Sequence, residues 1–291
     1  MNPARFQTLI TATELQQAQA AGQALLLIDT SFDLADTSAG ERSHAQGHLP
    51  GAHYLHLDRD LSATKTGPDG RFRGRHPLPD RAEFAARMAA LGLRPGLQVV
   101  AYDGQGGMYA ARLWWMLRWI GHAEVAVLDG GHAAWVADGG ALSTAPALTE
   151  ANTRTAPLPL PDSLVPHLDA DALQCQLGRL RLIDARAPER FRGEVEPLDA
   201  KAGHIPGARN RLFKTNLQDD GRFKPAEQLR QEFHSLLAPF APAEVVHQCG
   251  SGVTACHNLL AMEHAGLSGS RLYPGSWSEW SSDPSRPVAQ G

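Results

Sequence analysis

A six-residue stretch recurs in this chain with a single change, as Gly47-His48-Leu49-Pro50-Gly51-Ala52 and as Gly203-His204-Ile205-Pro206-Gly207-Ala208, 156 positions apart. An apolar run ending in aspartate recurs with nearly the same offset. Ala24-Leu25-Leu26-Leu27-Ile28-Asp29 answers to Leu180-Arg181-Leu182-Ile183-Asp184, with 155 positions between the aspartates. Val99-Val100-Ala101-Tyr102-Asp103-Gly104-Gln105-Gly106 then aligns with Val245-Val246-His247-Gln248-Cys249-Gly250-Ser251-Gly252 at an offset of 146. Leu128-Asp129-Gly130-Gly131-His132-Ala133-Ala134-Trp135 likewise matches the stretch from Leu272 to Trp280. A period this long means a duplicated domain, because solenoid units are only about 20–50 residues. A chain of 291 residues has room for two cores. We therefore expect a first domain over 1–140, a linker over 141–164 and a second domain over 165–291. The linker is rich in Ala, Thr, Pro and Leu and includes Pro157, Pro159 and Pro161, a composition that suits a surface segment.

Within each copy, short apolar runs alternate with segments of helical spacing such as Arg81–Leu91 and Ala110–Leu117. The fold class this predicts is α/β, with each domain a mostly parallel sheet flanked by helices. Hydrophobic content of 43% and charged content of 20% are those of an ordinary folded protein, and the net charge of −4 carries no long run of either sign. This argues against a nucleic-acid partner. No apolar stretch reaches membrane-spanning length, and Met1-Asn2-Pro3-Ala4-Arg5-Phe6 lacks the basic start and apolar core of a leader, so a cytoplasmic protein with no membrane partner is expected. The cysteines, Cys175, Cys249 and Cys256, have neither metal-ligand spacing nor the number needed for a disulfide framework.

Cys249 stands out. Val245-Val246 reads as the end of a buried strand, Gly250 and Gly252 permit a tight loop, and the residues from Val253 onward have helical spacing. Backbone N–H groups from Gly250, Ser251, Gly252, Val253 and Thr254 can converge on the sulfur at such a turn, and the helix dipole adds a positive field. Both favour the thiolate, which is the nucleophile. In open α/β sheets ligands bind beyond the carboxyl ends of strands, where this cysteine falls. The first copy has Asp103 at the matching position, so that half cannot run thiolate chemistry. A phosphatase loop of the Cys-x5-Arg type would need arginine at 255, where the chain has Ala255, and Gly250-Ser251-Gly252 is not followed by the Gly-Lys-Ser/Thr of a nucleotide loop.

Cys249-Gly250-Ser251-Gly252-Val253-Thr254 resembles the active-site loop of the rhodanese superfamily in the form typical of 3-mercaptopyruvate sulfurtransferases, and the duplication resembles its tandem members, with one inactive and one active domain. The resemblance implies a sulfurtransferase that takes a sulfane sulfur onto Cys249 as a persulfide and passes it to a thiol or to cyanide, with no cofactor or metal. A thioredoxin-like reductant is a candidate acceptor. Thiosulfate-using members carry basic residues after the cysteine, whereas this loop has Gly250 and Ser251. The resemblance further implies that Ser251, with His76 in Arg75-His76-Pro77-Leu78-Pro79 and Asp58 in Leu57-Asp58-Arg59-Asp60-Leu61, assists proton transfer to the departing enolate. Arg190 matches the arginine that holds a keto-acid carboxylate, with Arg186 and Arg192 as helpers. The chain departs from the pattern at Glu196-Pro197, which is followed by Leu198-Asp199 instead of a second arginine, so thiosulfate stays in contention as main donor.

Other readings remain at this point. The chain could be a non-catalytic module that kept the fold, or a relay that hands persulfide sulfur to another protein. His48 and His204 occur in both copies, including the one without the thiol, which favours a structural role at a turn. Cys256, seven residues after Cys249, is either a packed core residue or a resolving thiol.

Overall fold

Runs such as Leu25–Asp29 and Val125–Leu128 carry apolar side chains on both faces, and a strand of that kind is stable only between two covering layers. In the computed structural model, which describes residues 5–147 and 158–291, these runs form the middle of parallel sheets. The first four residues and part of the expected linker lie outside the described residues. The described residues divide into two compact units. The first holds those up to Leu61, those between Pro79 and Leu164, and Leu217–Phe223; the second holds Ser62–Leu78, Val165–Asn216 and Lys224–Gly291. Residues 62–78, which chain order assigns to the first domain, thus pack with the second unit.

In unit 1 the elements run β1 (Leu9–Ile10), α1 (Ala12–Ala20), β2 (Leu25–Asp29), α2 (Ala39–Gln46), β3 (His53–Tyr54), α3 (Leu57–Asp60), α4 (Arg81–Ala90), β4 (Gln98–Tyr102), α5 (Ala110–Trp119), β5 (Val125–Leu128) and α6 (Gly131–Ala137). Unit 2 continues with α7 (Ala170–Gln176), β6 (Arg181–Asp184), α8 (Pro188–Arg192), β7 (Arg209–Asn210), α9 (Ala226–Leu237), β8 (Val245–Gln248), α10 (Thr254–His264), β9 (Arg271–Leu272) and α11 (Ser276–Ser282). The expected strands and helices are present to within a residue or two at their ends. Local chemistry explains the starts: Asp80 caps α4 by accepting from the backbone N–H of Ala82 and Glu83, and Thr11 with Glu14 forms a capping box on α1.

The duplication shows in the topology. Unit 1 orders its strands β1-β5-β4-β2-β3 and unit 2 orders them β9-β8-β6-β7, the same sequence of strands without the outer one. In place of that outer strand, unit 2 has a single parallel bridge between His167 and Leu272. Register is also kept: Asp29 faces Tyr102, just before Asp103, and Asp184 faces Gln248, just before Cys249. Each unit has its own core, built around Leu15, Leu27, Val100, Tyr102 and Trp135 in the first and Leu173, Leu182, Val246, Trp277 and Trp280 in the second. Both tryptophans of α11 are fully buried, and truncating a side chain of this size typically costs about 3–5 kcal/mol. That burial anchors α11, which matters for the loop above it.

Asp103 shows what the strand-to-helix loop does to an anion. Its carboxylate is completely buried; Oδ1 accepts from the N–H of Gln105 and Gly107 at 2.7 and 2.9 Å, and Oδ2 from Tyr109 and Ala110 at 2.8 and 2.9 Å. Burial pushes its pKa up and the four N–H bonds oppose that push. Asp103→Asn is expected to destabilise unit 1 by roughly 2–4 kcal/mol, because the amide NH2 must face two N–H donors that then lack an acceptor. Urea unfolding followed by tryptophan fluorescence reads this directly, and an unchanged midpoint would show that the loop rearranges at little cost.

Candidate active site

β8 ends at Gln248, and Cys249 follows at the carboxyl end of the strand, 2% exposed. The loop from Cys249 to Val253 then leads into α10, as the glycine spacing predicts. Beneath it, His247 is buried in the strand with Nε2 3.1 Å from Met262 Sδ, and burial lowers its pKa to about 3, so it stays neutral.

The loop is latched to the N-terminal turn of α11. Cys249 N–H donates to Ser276 Oγ (3.0 Å), while the carbonyls of Cys249 and Gly250 accept from Trp277 N–H (3.0 Å) and Ser278 N–H (2.9 Å). Gly252 has φ +77°, and a Cβ there would lie 2.2 Å from the Pro274 carbonyl oxygen. Only glycine tolerates both the left-handed backbone and that approach. Val253 is buried and Thr254 opens α10, so the loop runs directly from Cys249 into the helix.

His76 and Ser251 meet. His76 Nδ1 lies 2.7 Å from Ser251 Oγ, with the residues 5% and 7% exposed. The segment carrying His76 is held by Arg75 N–H, which donates to Ser278 Oγ (2.8 Å), and by Gly74, whose φ of +97° brings it against the Gly275 carbonyl. The same turn of α11 therefore positions both the cysteine loop and the histidine. Asp58 belongs to unit 1, in the one-turn helix α3, where its N–H donates to His56 Nδ1 at 3.1 Å.

Arg190, on α8, bonds Glu196 (2.7 and 3.3 Å) and Asp199 (3.3 Å). Arg186 differs from the expectation that it helps bind substrate. It is 3% exposed, with its fork engaged by Asp184, Glu196 and the Gly203 carbonyl and its plane 4.8 Å over the Trp277 ring. A guanidinium so committed braces the strand end. Arg192 pairs with Glu194 on the surface. Cys256 is buried, its thiol directed at the Gly252 carbonyl 3.4 Å away; because α10 begins only at Thr254, helical spacing does not aim it along Cys249. His48 and His204 bond backbone carbonyls of His44 and Ala145, and of Phe191, as structural turn residues do.

The residue that sequence reasoning passed over is Arg75. It pairs with Asp199, and a Cβ on Gly250 would lie 2.7 Å from its Nη2 and 3.4 Å from Arg190 Nη1. Its place beside His76 was the available signal, masked by two other arginines in the same loop. Among the described residues, no group of three His, Cys, Asp or Glu could hold a metal ion, and no helix is long and apolar enough to cross a membrane.

Known proteins resemble this chain over nearly its whole length. The chain is 51% identical over 288 residues, covering 97% of it and 98% of the relative, to the probable 3-mercaptopyruvate sulfurtransferase of Pseudomonas aeruginosa. It is 33% identical over 277 residues to the thiosulfate sulfurtransferase of Cricetulus griseus, covering 93% of this chain and 90% of that one. The crystal structure of SseA from Escherichia coli, presented with the catalytic mechanism of 3-mercaptopyruvate sulfotransferases, superposes with a TM-score of 0.75 at 28% identity, over 94% of this chain and 100% of that one. The model of the rhodanese-like domain matches residues 11–138 and again 167–283. With the cysteine loop at the end of β8, its aspartate counterpart after β4 and two matches to one domain model, the chain belongs to the rhodanese family in its tandem-domain form.

Proposed function

We propose that this protein is a sulfurtransferase that carries a sulfane sulfur on Cys249 between an anionic donor and a nucleophilic acceptor, with 3-mercaptopyruvate as donor ahead of thiosulfate. The observation that carries this reading is the buried Ser251–His76 pair at 2.7 Å beside the latched Cys249 loop. In the first half-reaction the Cys249 thiolate attacks the donor sulfur. With 3-mercaptopyruvate the carbon–sulfur bond breaks, the electron pair stays on carbon as the pyruvate enolate, and the proton from the donor thiol ends on that carbon. With thiosulfate the sulfur–sulfur bond breaks and sulfite leaves, with no proton to place. In the second half-reaction a thiolate or cyanide takes the outer sulfur and Cys249 returns as thiolate. N–H groups of the loop stabilise the persulfide anion, as the homologous loop does for the Asp103 carboxylate.

We assign the proton step to Ser251 and His76, and Arg190 to the donor anion. The catalytic domain in this reading is 165–291 with the segment bearing His76, and the rest of residues 1–140, with Asp103 in the loop, is its structural companion. Donor and acceptor are small molecules, with a thioredoxin-like reductant as a further acceptor, and a reducing, cytoplasmic compartment suits a working thiol.

The two donors separate the roles. His76→Ala is expected to lower kcat with 3-mercaptopyruvate by about 10²-fold, the lower end of what a positioned acid–base group contributes, and to leave thiosulfate turnover nearly unchanged. Equal losses with both donors would give His76 a structural role instead. Asp58→Asn in the same assay tests its membership: a loss confined to 3-mercaptopyruvate places it in the relay, and no loss removes it.

A further inference from the structure

We propose that Arg75 and Arg190 together form a two-guanidinium anion clamp over the Cys249 loop, and that Asp199 is its built-in counter-ion, which an anionic donor must displace. The proposal rests on the sulfurtransferase reading only for the identity of the donor.

The chain lacks an arginine after Glu196-Pro197, yet the structure supplies a second cation from elsewhere. Arg75 comes from the segment held on α11, and both it and Arg190 reach Gly250, the residue directly after the cysteine. Asp199 bridges them, Oδ1 to Arg75 and Oδ2 to Arg190 Nη2 at 3.3 Å. A carboxylate bridging two guanidinium groups marks a place where charge-assisted hydrogen bonds can hold an anion. Here the protein's own side chain occupies it.

Charge balance explains the consequence. Arg75, Arg186 and Arg190 are matched by Asp184, Glu196 and Asp199, so the cluster carries no excess positive charge to attract an anion. Asp184 and Glu196 are held in place by Arg186, but Asp199 is not. It sits in an irregular stretch between exposed Leu198 and Ala200, so turning it outward disturbs little packing. Both clamp arginines remain 17% exposed while Asp199 is 5% exposed, and Arg75 Nε is buried with no hydrogen-bond partner. Asp199 thus satisfies Arg75 only in part, which leaves a ligand something to gain.

The test uses pyruvate, a keto acid with the carboxylate of the donor and no transferable sulfur, titrated calorimetrically into the full-length protein. Asp199→Asn keeps the shape and removes the competing charge, and it is expected to tighten pyruvate binding about tenfold, the scale of one charge-assisted hydrogen bond regained. Arg75→Ala is expected to weaken binding about tenfold on the same scale, with Arg75→Lys between, since an ammonium cannot offer the fork. Should Arg75→Ala fail to fold, Arg75→Met preserves the stem and is read in the same way. Weaker or unchanged binding in Asp199→Asn would overturn the counter-ion role, making Asp199 an organiser of the arginines, and unchanged binding in the Arg75 variants would overturn the clamp. Because pyruvate binding needs no sulfur transfer, the expected shifts in a protein that forms no persulfide would uphold the clamp and refute the sulfurtransferase reading.

Discussion

Cys249→Ser is expected to take up no sulfur from 3-mercaptopyruvate or thiosulfate and to lose turnover by at least about 10³-fold, as removal of a covalent nucleophile does. The reason is chemical rather than structural. Serine fits the space of a residue that is 2% exposed and keeps the backbone bonds to Ser276 and Trp277, so the fold should survive. A hydroxyl, however, is a far weaker nucleophile than a thiolate, and oxygen does not accept a sulfane sulfur. Intact mass after brief exposure to each donor reads the covalent step, and thiocyanate formation reads turnover. Cys175 is exposed, so Cys175→Ser belongs in the same experiment to subtract adventitious labelling. Turnover retained in Cys249→Ser would move the chemistry elsewhere.

Gly252→Ala is expected to cost roughly 2–4 kcal/mol of stability and to lower kcat/KM by about 10²-fold, because it adds strain and also displaces the catalytic loop. The left-handed φ of +77° alone disfavours a side chain, and the methyl would meet Pro274 backbone at 2.2 Å. Pro274 cannot move freely, since Ser276, Trp277 and Ser278 just after it carry the hydrogen bonds that latch Cys249 and Gly250, Ser276 Oγ as acceptor and the other two as N–H donors. The relief must therefore come from the loop itself. Gly207→Ala is the internal control: φ is +81° but nothing lies within 4 Å of the added carbon, so a loss of about 1 kcal/mol with full activity is expected. Urea unfolding and steady-state kinetics on both variants decide the matter, and equal behaviour would mean that Pro274 does not brace the loop.

Much of the architecture was legible in the chain. Leu25–Asp29 and Val99–Tyr102 are buried almost throughout, so their apolar runs specify central parallel strands, and Val245-Val246 carries a shorter form of the same signal. The repeat fixed the number of domains, since homologous strands must find homologous neighbours, and the paired registers of Asp29 with Tyr102 and Asp184 with Gln248 bear that out. The cysteine loop was readable because its glycines carry their own conformational constraint. Arg186 and Arg75 were not readable. The side chain of an arginine is long enough to serve a surface, a core ion pair or a ligand, and sequence does not say which.

What the sequence determined by itself is therefore everything that depends on local pattern: two α/β repeats, a thiol at a strand end in one and a carboxylate in the other, and a glycine-bounded loop between strand and helix. Tertiary structure decided which distant groups attend that thiol. His76 reaches Ser251, and Arg75 and Arg190 converge on Gly250, only because residues 62–78 pack on the turn of α11 that the buried Trp277 and Trp280 hold in place. Contacts between residues so far apart in the chain are set by the joint packing of several elements, and no single segment encodes them.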